Sequence, residues 1–158
     1  MTQDIKEVYA VRIRNAIRVL EHKSEWAKAG VTNFDINEWY SDYGTECGTT
    51  ACAAGLIASH PAFKAVGFKI RRYRYSWGWE RGRRAGHPVY KGYIEFEAIA
   101  KFFGFPYPVN EEGPADLIFS GDGYGYKFPV TPQMVANKLR AYLKEHGAKL
   151  PSRSLGAK

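Results

Sequence analysis

The spacing of apolar residues predicts amphipathic helices near both ends of the chain. Over residues 3–24, apolar side chains recur every three or four positions between charged ones, which is the period of a helix with one buried face. The segment 131–147 has the same period. Thr131 is its predicted N-cap, Pro132 its first residue and Gly147 its end.

Shorter helices are predicted in the middle of the chain. Thr49 or Thr50 is a good N-cap for the small-residue segment 51–60 (ACAAGLIASH), which Pro61 ends. Small side chains at three- and four-residue spacing let another backbone approach closely, so we expect this helix to pack tightly. Two further helices are predicted, at residues 95–104 and 114–119.

Between residues 66 and 94 the period changes to two, which predicts a β-hairpin. Phe68 and Ile70 alternate with polar residues, and the alternation resumes out of phase at Tyr73, so we expect a bulge or register shift near Arg71–Arg72. The segment GRRAGHP (82–88) is predicted as the turn, and VYKGYI as the second strand.

Together these elements predict an α+β fold, a mainly helical single domain with one β-hairpin. The segment NFDINEWYSDYG (33–44) is predicted as a loop with a short helical turn, and SGDGYGY (120–126) as a glycine-rich loop. The domain is predicted to cover residues 1–147, and residues 148–158 to form a flexible basic tail.

Charge is concentrated on the predicted hairpin. The 158-residue chain has a net charge of +7. Residues 69–91 contain eight Lys or Arg and one acid, Glu80, so this segment alone accounts for the net charge of the whole chain. Such confinement indicates a local basic surface rather than a general solubility device.

Arginines alternate with tyrosines and tryptophans on this hairpin, which favours nucleic-acid binding. Guanidinium groups form charge-assisted hydrogen bonds with phosphates, and aromatic faces stack on bases. We therefore predict a non-enzymatic protein whose hairpin contacts nucleic acid, with the arginines on phosphates. The predicted contact residues are Arg71, Arg72, Arg74, Tyr75, Trp77, Trp79, Arg81, Arg83, Arg84 and Lys91.

The same basic surface is also compatible with an acidic host protein, as in an anti-defence factor or inhibitor of a host factor. We predict no membrane partner, no small-molecule ligand and no cofactor. The N-terminal sequence MTQDIKEVYAV lacks the basic-then-apolar pattern of a signal peptide, and no apolar run reaches the length of a membrane span. A cytoplasmic location is therefore predicted.

Cys47 and Cys52 allow several interpretations. A thiol near a helix N-terminus can be activated, so Cys52, with His87 as a candidate base, is a possible nucleophile of a thiol-dependent hydrolase. The favoured interpretation is structural, with both thiols packed in the interior. A Cys47–Cys52 disulfide and a metal site that adds His60 and His87 are weaker alternatives, and the C-x4-C-x7-H spacing is not a recurrent zinc pattern.

Several motifs together resemble a family of small uncharacterised bacterial and phage proteins. The matching segments are FDINEW (34–39), CGTTACAAG (47–55), YKG (90–92), AIAKFFG (98–104) and VTPQMVA (130–136). The resemblance covers roughly residues 5–145. It implies a phage or prophage origin and carries no established activity.

Overall fold

The computed structural model describes residues 4–42, 48–76, 78, 82–125 and 129–149. Within these ranges the chain forms seven helices and six strands. The helices are α1 (Glu7–Glu21), α2 (Lys23–Ala29), α3 (Ala53–Ser59), α4 (Pro61–Lys64), α5 (Glu95–Phe103), α6 (Pro114–Phe119) and α7 (Pro132–Glu145). The strands are β1 (Asn33–Phe34), β2 (Tyr40–Asp42), β3 (Thr49–Ala51), β4 (Lys69–Arg74), β5 (Arg84–Tyr90) and β6 (Tyr93–Ile94).

The strands form one mixed sheet in the order β1-β3-β2-β5-β4, and β6 pairs with β5. Only β1 and β3 are parallel among these pairs, with Asn33 opposite Thr50. The predicted α+β class and the predicted hairpin, β4 with β5, are confirmed. The prediction of segment 33–44 as a loop is wrong where it contains β1 and β2, which are two and three residues long.

Strands β4 and β5 pair without interruption from Lys69 opposite Val89 to Arg74 opposite Arg84. The predicted bulge near Arg71–Arg72 is therefore wrong. Successive residues of a regular strand point to opposite faces, so Tyr73 lies on the face opposite to that of Ile70. The phase of the sequence pattern changes because the large apolar or aromatic residue moves from one face of β4 to the other, not because β4 contains an extra residue.

The predicted turn at residues 82–88 is also wrong for most of its length. Strand β5 begins at Arg84 and includes Pro88, which lies opposite Ile70 of β4. Gly86 is required here because a Cβ at this position would overlap the Ile70 side chain and lie 2.8 Å from the Arg71 carbonyl oxygen. Close approach of β4 therefore explains a glycine that suggested a turn.

Helices from the two ends of the chain pack against each other. Buried Ile13 and Ile17 of α1 and Leu139 of α7 belong to one core. The Glu21 carboxylate accepts two hydrogen bonds from the Arg140 guanidinium, which joins the end of α1 to α7. The predicted helix at 3–24 ends earlier than expected, at Glu21, and a separate helix α2 follows.

An aromatic cluster joins the sheet to α5. Phe68, just before β4, stacks on Phe102 with ring centroids 4.5 Å apart, and Phe103 contacts both rings. All three side chains are fully buried. Gly104 ends α5 with φ at 72°, as predicted for the end of this helix.

The described part of CGTTACAAG, residues 48–55, forms a strand and a helix start, not a threonine-capped helix. Thr49 and Thr50 belong to β3, and Cys52 is the N-cap of α3, where its Sγ accepts a hydrogen bond from the Gly55 N–H at 3.4 Å. Residues 53–59 of this helix are all buried. The predicted tight packing is confirmed, whereas the predicted cap is wrong.

The C-terminal helix begins as predicted. Thr131 caps α7 by accepting from the Met134 N–H at 3.3 Å, and Pro132 is its first residue. Beyond α7, the Lys149 carbonyl accepts a hydrogen bond from Arg14. Residues 150–158 of the predicted tail lie outside the described residues. None of the helices described is both long and apolar enough to span a membrane.

Candidate nucleic-acid interface

Strand β4 is an edge strand with an exposed, basic surface. It stands at one end of the strand order, paired with β5. Arg71, Arg72 and Arg74 are all exposed, and Tyr73 between them is 44% exposed. Because neighbouring residues of a strand point to opposite faces, this edge presents guanidinium groups on both sides of the sheet.

The backbone of β4 also has a free edge. The Tyr75 N–H donates to the Arg83 carbonyl at 3.0 Å. In a regular antiparallel ladder, residues that bond the partner strand alternate with residues that face away from it. Lys69, Arg71 and Tyr73, like Tyr75, therefore direct their backbone N–H and C=O groups toward β5. The alternate residues Ile70, Arg72 and Arg74 direct theirs away from the sheet.

Arg83 and Arg84 are held by acidic side chains. Arg83 lies 3.5 Å from the Glu38 carboxylate and packs over the Tyr75 ring, and its side chain is only 18% exposed. Arg84 lies 3.9 Å from the Asp42 carboxylate but remains 56% exposed. The two arginines are adjacent in sequence and point to opposite faces of β5, so their environments differ.

The Glu38 carboxylate is the centre of a small polar cluster that sequence reasoning missed. It accepts a hydrogen bond from the buried hydroxyl of Ser41 in addition to its contact with Arg83. Glu38 lies in a segment that the sequence predicts as a loop, and no spacing rule connects it with an arginine 45 positions away. The cluster ties the segment before β2 to the start of β5.

Two of the remaining predicted contact residues, Tyr75 and Lys91, lie next to β4 and β5. Tyr75 is half-buried against Tyr73, and burial, followed by the neighbouring Tyr75, raises the pKa of Tyr73 above its ordinary value. Lys91 is exposed in the turn after β5 and lies over the Tyr90 ring. Predicted contacts that lie outside the described residues are Trp77, Trp79 and Arg81.

Cys52 is in an environment that suppresses thiol reactivity. It is 1% exposed, and burial raises the pKa of its thiol to about 12. Only the thiolate is a good nucleophile, so at neutral pH its reactive fraction is very small. Cys52 is a free thiol, and Cys47 lies outside the described residues.

His87 does not accompany Cys52. It lies on β5 opposite Arg71, not in a turn, and its ring centroid is 5.9 Å from that of Tyr73. Its Nε2 atom is buried and has no hydrogen-bond partner among the residues described. Cys52 instead bonds to the start of its own helix, so the structure does not assemble the predicted thiol–imidazole pair.

His60 is a buried structural residue. Its Nε2 lies 2.6 Å from the Glu25 carboxylate, and its Nδ1 accepts from the Ala62 N–H at 3.2 Å. The hydrogen bond from His60 lowers the pKa of Glu25 below its ordinary value. Within the described part of the chain, no three His, Cys, Asp or Glu side chains are grouped closely enough to hold a metal ion.

The comparisons with known proteins leave the assignment to geometry. No protein-family model, curated protein or solved structure matches the chain. The family resemblance of the sequence motifs therefore stays a prediction.

Proposed function

We propose that the protein is a non-enzymatic, cytoplasmic accessory protein that binds nucleic acid through the exposed edge strand β4 and the neighbouring Arg84 of β5. A phage or prophage origin, which the motifs imply, is part of this proposal. The observation that carries it is the exposure of Arg71, Arg72 and Arg74 on both faces of an edge strand.

The arrangement suits a phosphate backbone. Three guanidinium groups in four consecutive residues give a dense positive charge, and none of the three forms an ion pair with an acidic side chain of the described residues. Tyr73 lies between them and exposes part of its ring, which can stack on an unpaired base. An edge strand also projects from the sheet and can approach a groove more closely than a central strand.

The arginines of the hairpin do not contribute equally. Arg84 remains exposed enough to reach a phosphate beyond Asp42. Arg83 forms an ion pair with Glu38 within the protein, and a contact with a phosphate would require this half-buried pair to separate. We therefore assign Arg83 to positioning the hairpin and the four exposed residues Arg71, Arg72, Arg74 and Arg84 to the ligand.

Equilibrium binding over a salt series tests this function. Fluorescence anisotropy with labelled duplex and single-stranded oligonucleotides should show affinity that falls steeply with KCl, with a slope of about −0.9 per phosphate contacted in duplex DNA. Replacing Arg71, Arg72 and Arg74 with Gln together should flatten this slope by about 3. A matched triple variant, Lys6, Lys64 and Lys144 to Gln, removes the same charge from exposed positions elsewhere and should keep the slope.

Two results would count against nucleic-acid binding. One is the absence of saturable binding at low salt. The other is equal loss of affinity in the two triple variants, because this would mean that only net charge matters.

A second candidate is an acidic protein partner, favoured by the free backbone edge of β4. An extended segment of another protein can add to such an edge through main-chain hydrogen bonds, with acidic side chains meeting the arginines. Pull-down from host lysate before and after nuclease treatment separates the two functions. Recovery of one saturable partner that survives nuclease and is lost in the Arg71/Arg72/Arg74 variant would favour the protein partner.

A further inference from the structure

A cavity of about 240 Å³ lies on another part of the molecule, between the segment before β2 and the turn after α6. Two sequence motifs meet there, FDINEW and SGDG, and none of the residues that line the cavity is a predicted contact of the basic edge. Its apolar wall is formed by Ile36, Trp39, Phe96 and Phe119. The Trp39 and Phe96 rings meet edge to face, with centroids 4.8 Å apart, and both remain partly exposed.

Three polar side chains complete the lining: Asn37, Ser120 and Asp122. Within the residues that the structure describes, none of these side chains forms a hydrogen bond or ion pair. Together they offer a carboxylate acceptor, an amide that both donates and accepts, and a hydroxyl. A small set of convergent polar groups around an apolar floor is typical of a small-molecule site.

The charge of the lining restricts the ligand. Among the residues that the structure describes, no lysine, arginine or histidine lines the cavity, whereas Asp122 places a carboxylate at its rim. A phosphate or carboxylate ligand would therefore meet repulsion without compensation. An uncharged ring with an apolar face and several hydroxyl donors matches both the aromatic wall and the acceptors.

The wall that contains Trp39 is fixed by the start of α3. The Cys52 N–H donates to the Glu38 carbonyl at 2.6 Å, and the Trp39 carbonyl packs directly over Gly55. On the other side of Trp39, the Asn37 N–H donates to the Asp35 carboxylate at 3.0 Å, which closes a local turn. The backbone that carries the Trp39 side chain is thus fixed, and the ring itself packs against Phe96.

The opposite wall of the cavity, residues 119–122, is held by hydrogen bonds from residues that follow α6 and from α7. The Tyr124 hydroxyl donates to the Ile118 carbonyl at 2.6 Å, and the Lys138 ammonium donates to the carbonyls of Leu117 and Gly123. Gly123 admits no side chain because a Cβ would overlap the Leu117 carbonyl oxygen. Rigid walls reduce the ordering cost of binding, which matters most for a small ligand.

We propose that this cavity binds a neutral hydroxylated ring of the pyranose class. One C–H face of the ring packs on Trp39 and Phe96, and its hydroxyl groups bond to Asn37, Ser120 and Asp122. The site shares no lining residue with the basic edge, so its binding function does not rest on nucleic-acid binding.

Titration of the ¹⁵N-labelled protein followed by NMR tests the site. The probes are the methyl glycosides of glucose, galactose, mannose and N-acetylglucosamine, and a separate arm uses adenosine and cytidine. The indole N–H signal of Trp39, assigned from Trp39→Phe, should shift saturably with at least one glycoside. Asp122→Asn should weaken that binding about tenfold or more, since it removes a charged hydrogen bond. Glu145→Gln, at an exposed position of α7, should leave it unchanged.

Three outcomes overturn the proposal. The first is an unmoved Trp39 signal with every glycoside up to about 10 mM, a range in which a Kd of ~1 mM is readily detected. The second is saturable binding of a nucleoside with no response to glycosides. The third is equal glycoside affinity in Asp122→Asn and Glu145→Gln, because the ligand would then lie elsewhere.

Discussion

The carbonyl oxygen of Trp39 occupies the space that a side chain on residue 55 would require. A Cβ added to Gly55 would overlap that oxygen and lie 2.8 Å from the carbonyl carbon. The contact joins the segment before β2 to the buried helix α3. It explains why a glycine stands in the middle of a helix, where alanine has the higher intrinsic propensity.

Replacing Gly55 with Ala should destabilise the protein although it improves helix propensity. Overpacking against backbone should lower the free energy of unfolding by about 1–3 kcal/mol, or more where the segment cannot move. Urea unfolding measures the change. Gly30→Ala is the comparison variant, because its new Cβ has open space and only its φ of 71° is unfavourable. Its unfolding free energy should fall by about 1–2 kcal/mol for this conformational reason. An unfolding free energy for Gly55→Ala equal to or above that of the wild type would contradict the contact.

Cys52 should resist alkylation in the native protein. With Cys47 replaced by Ser, so that one thiol remains, iodoacetamide labelling at pH 8 should be far slower than in urea. The thiol pKa of about 12 and the 1% exposure both limit its reaction. A native labelling rate that rises with a midpoint near pH 8.5 would show an accessible, ordinary thiol instead. Cys52→Ala should also lose the N-cap of α3, at a cost of about 1 kcal/mol.

The pair formed by Glu21 and Arg140 should make stability depend on pH. Hydrogen bonds from Arg140 lower the pKa of Glu21 below its ordinary 4.5, so this contribution is present above that value and is lost as the pH falls through the lowered pKa. Glu21→Gln should lower the unfolding free energy by about 1 kcal/mol at pH 7, and the difference from wild type should shrink at pH 3.

A matched control exists on the same helix. Glu7 pairs with Arg14 at an exposed position, and Glu7→Gln should change stability by less than about 0.5 kcal/mol at either pH. Equal pH profiles for wild type and Glu21→Gln would exclude the assigned role of Glu21.

Substitutions of two hairpin arginines should have different effects, one on the stability of the protein and the other on oligonucleotide binding. Arg83→Gln removes the ion pair that Arg83 forms with the partly buried carboxylate of Glu38, and should lower the unfolding free energy by about 1–3 kcal/mol. Arg74→Gln changes an exposed side chain and should alter stability by less than about 0.5 kcal/mol while it weakens oligonucleotide binding. Urea unfolding and anisotropy on both variants provide the comparison. The reverse pattern would contradict the assignment of Arg83 to the interior.

The long helices and the hairpin could be predicted from sequence because each carries its own repeated signal. Thr131 and Pro132 predict the start of α7, and the alternation of apolar or aromatic residues with polar ones predicts β4. Strands β1 to β3 have two or three residues each, too few for a period to show. Their existence depends on pairing between segments that are distant in sequence, such as Asn33 with Thr50.

In the candidate sites, too, features set by local sequence could be predicted and features set by distant contacts could not. The exposure of Arg71, Arg72 and Arg74 follows from a local charge pattern, whereas the burial of Arg83 depends on Glu38 across the sheet. The sequence predicts Cys52 inside the helix because Thr49 and Thr50 are good caps, but both threonines belong to β3. Tertiary pairing overrode a local preference, and the thiol took the role of the cap.

The packing of α1 against α7 has a consequence for synthesis. The ribosome makes α1 first and α7 last, and the ion pair that joins them spans 119 positions of sequence. The apolar face of α1 therefore lacks its contacts with α7 while the sheet and the other helices are being synthesised. Folding of this domain during translation is expected to finish only when its last helix has left the ribosome.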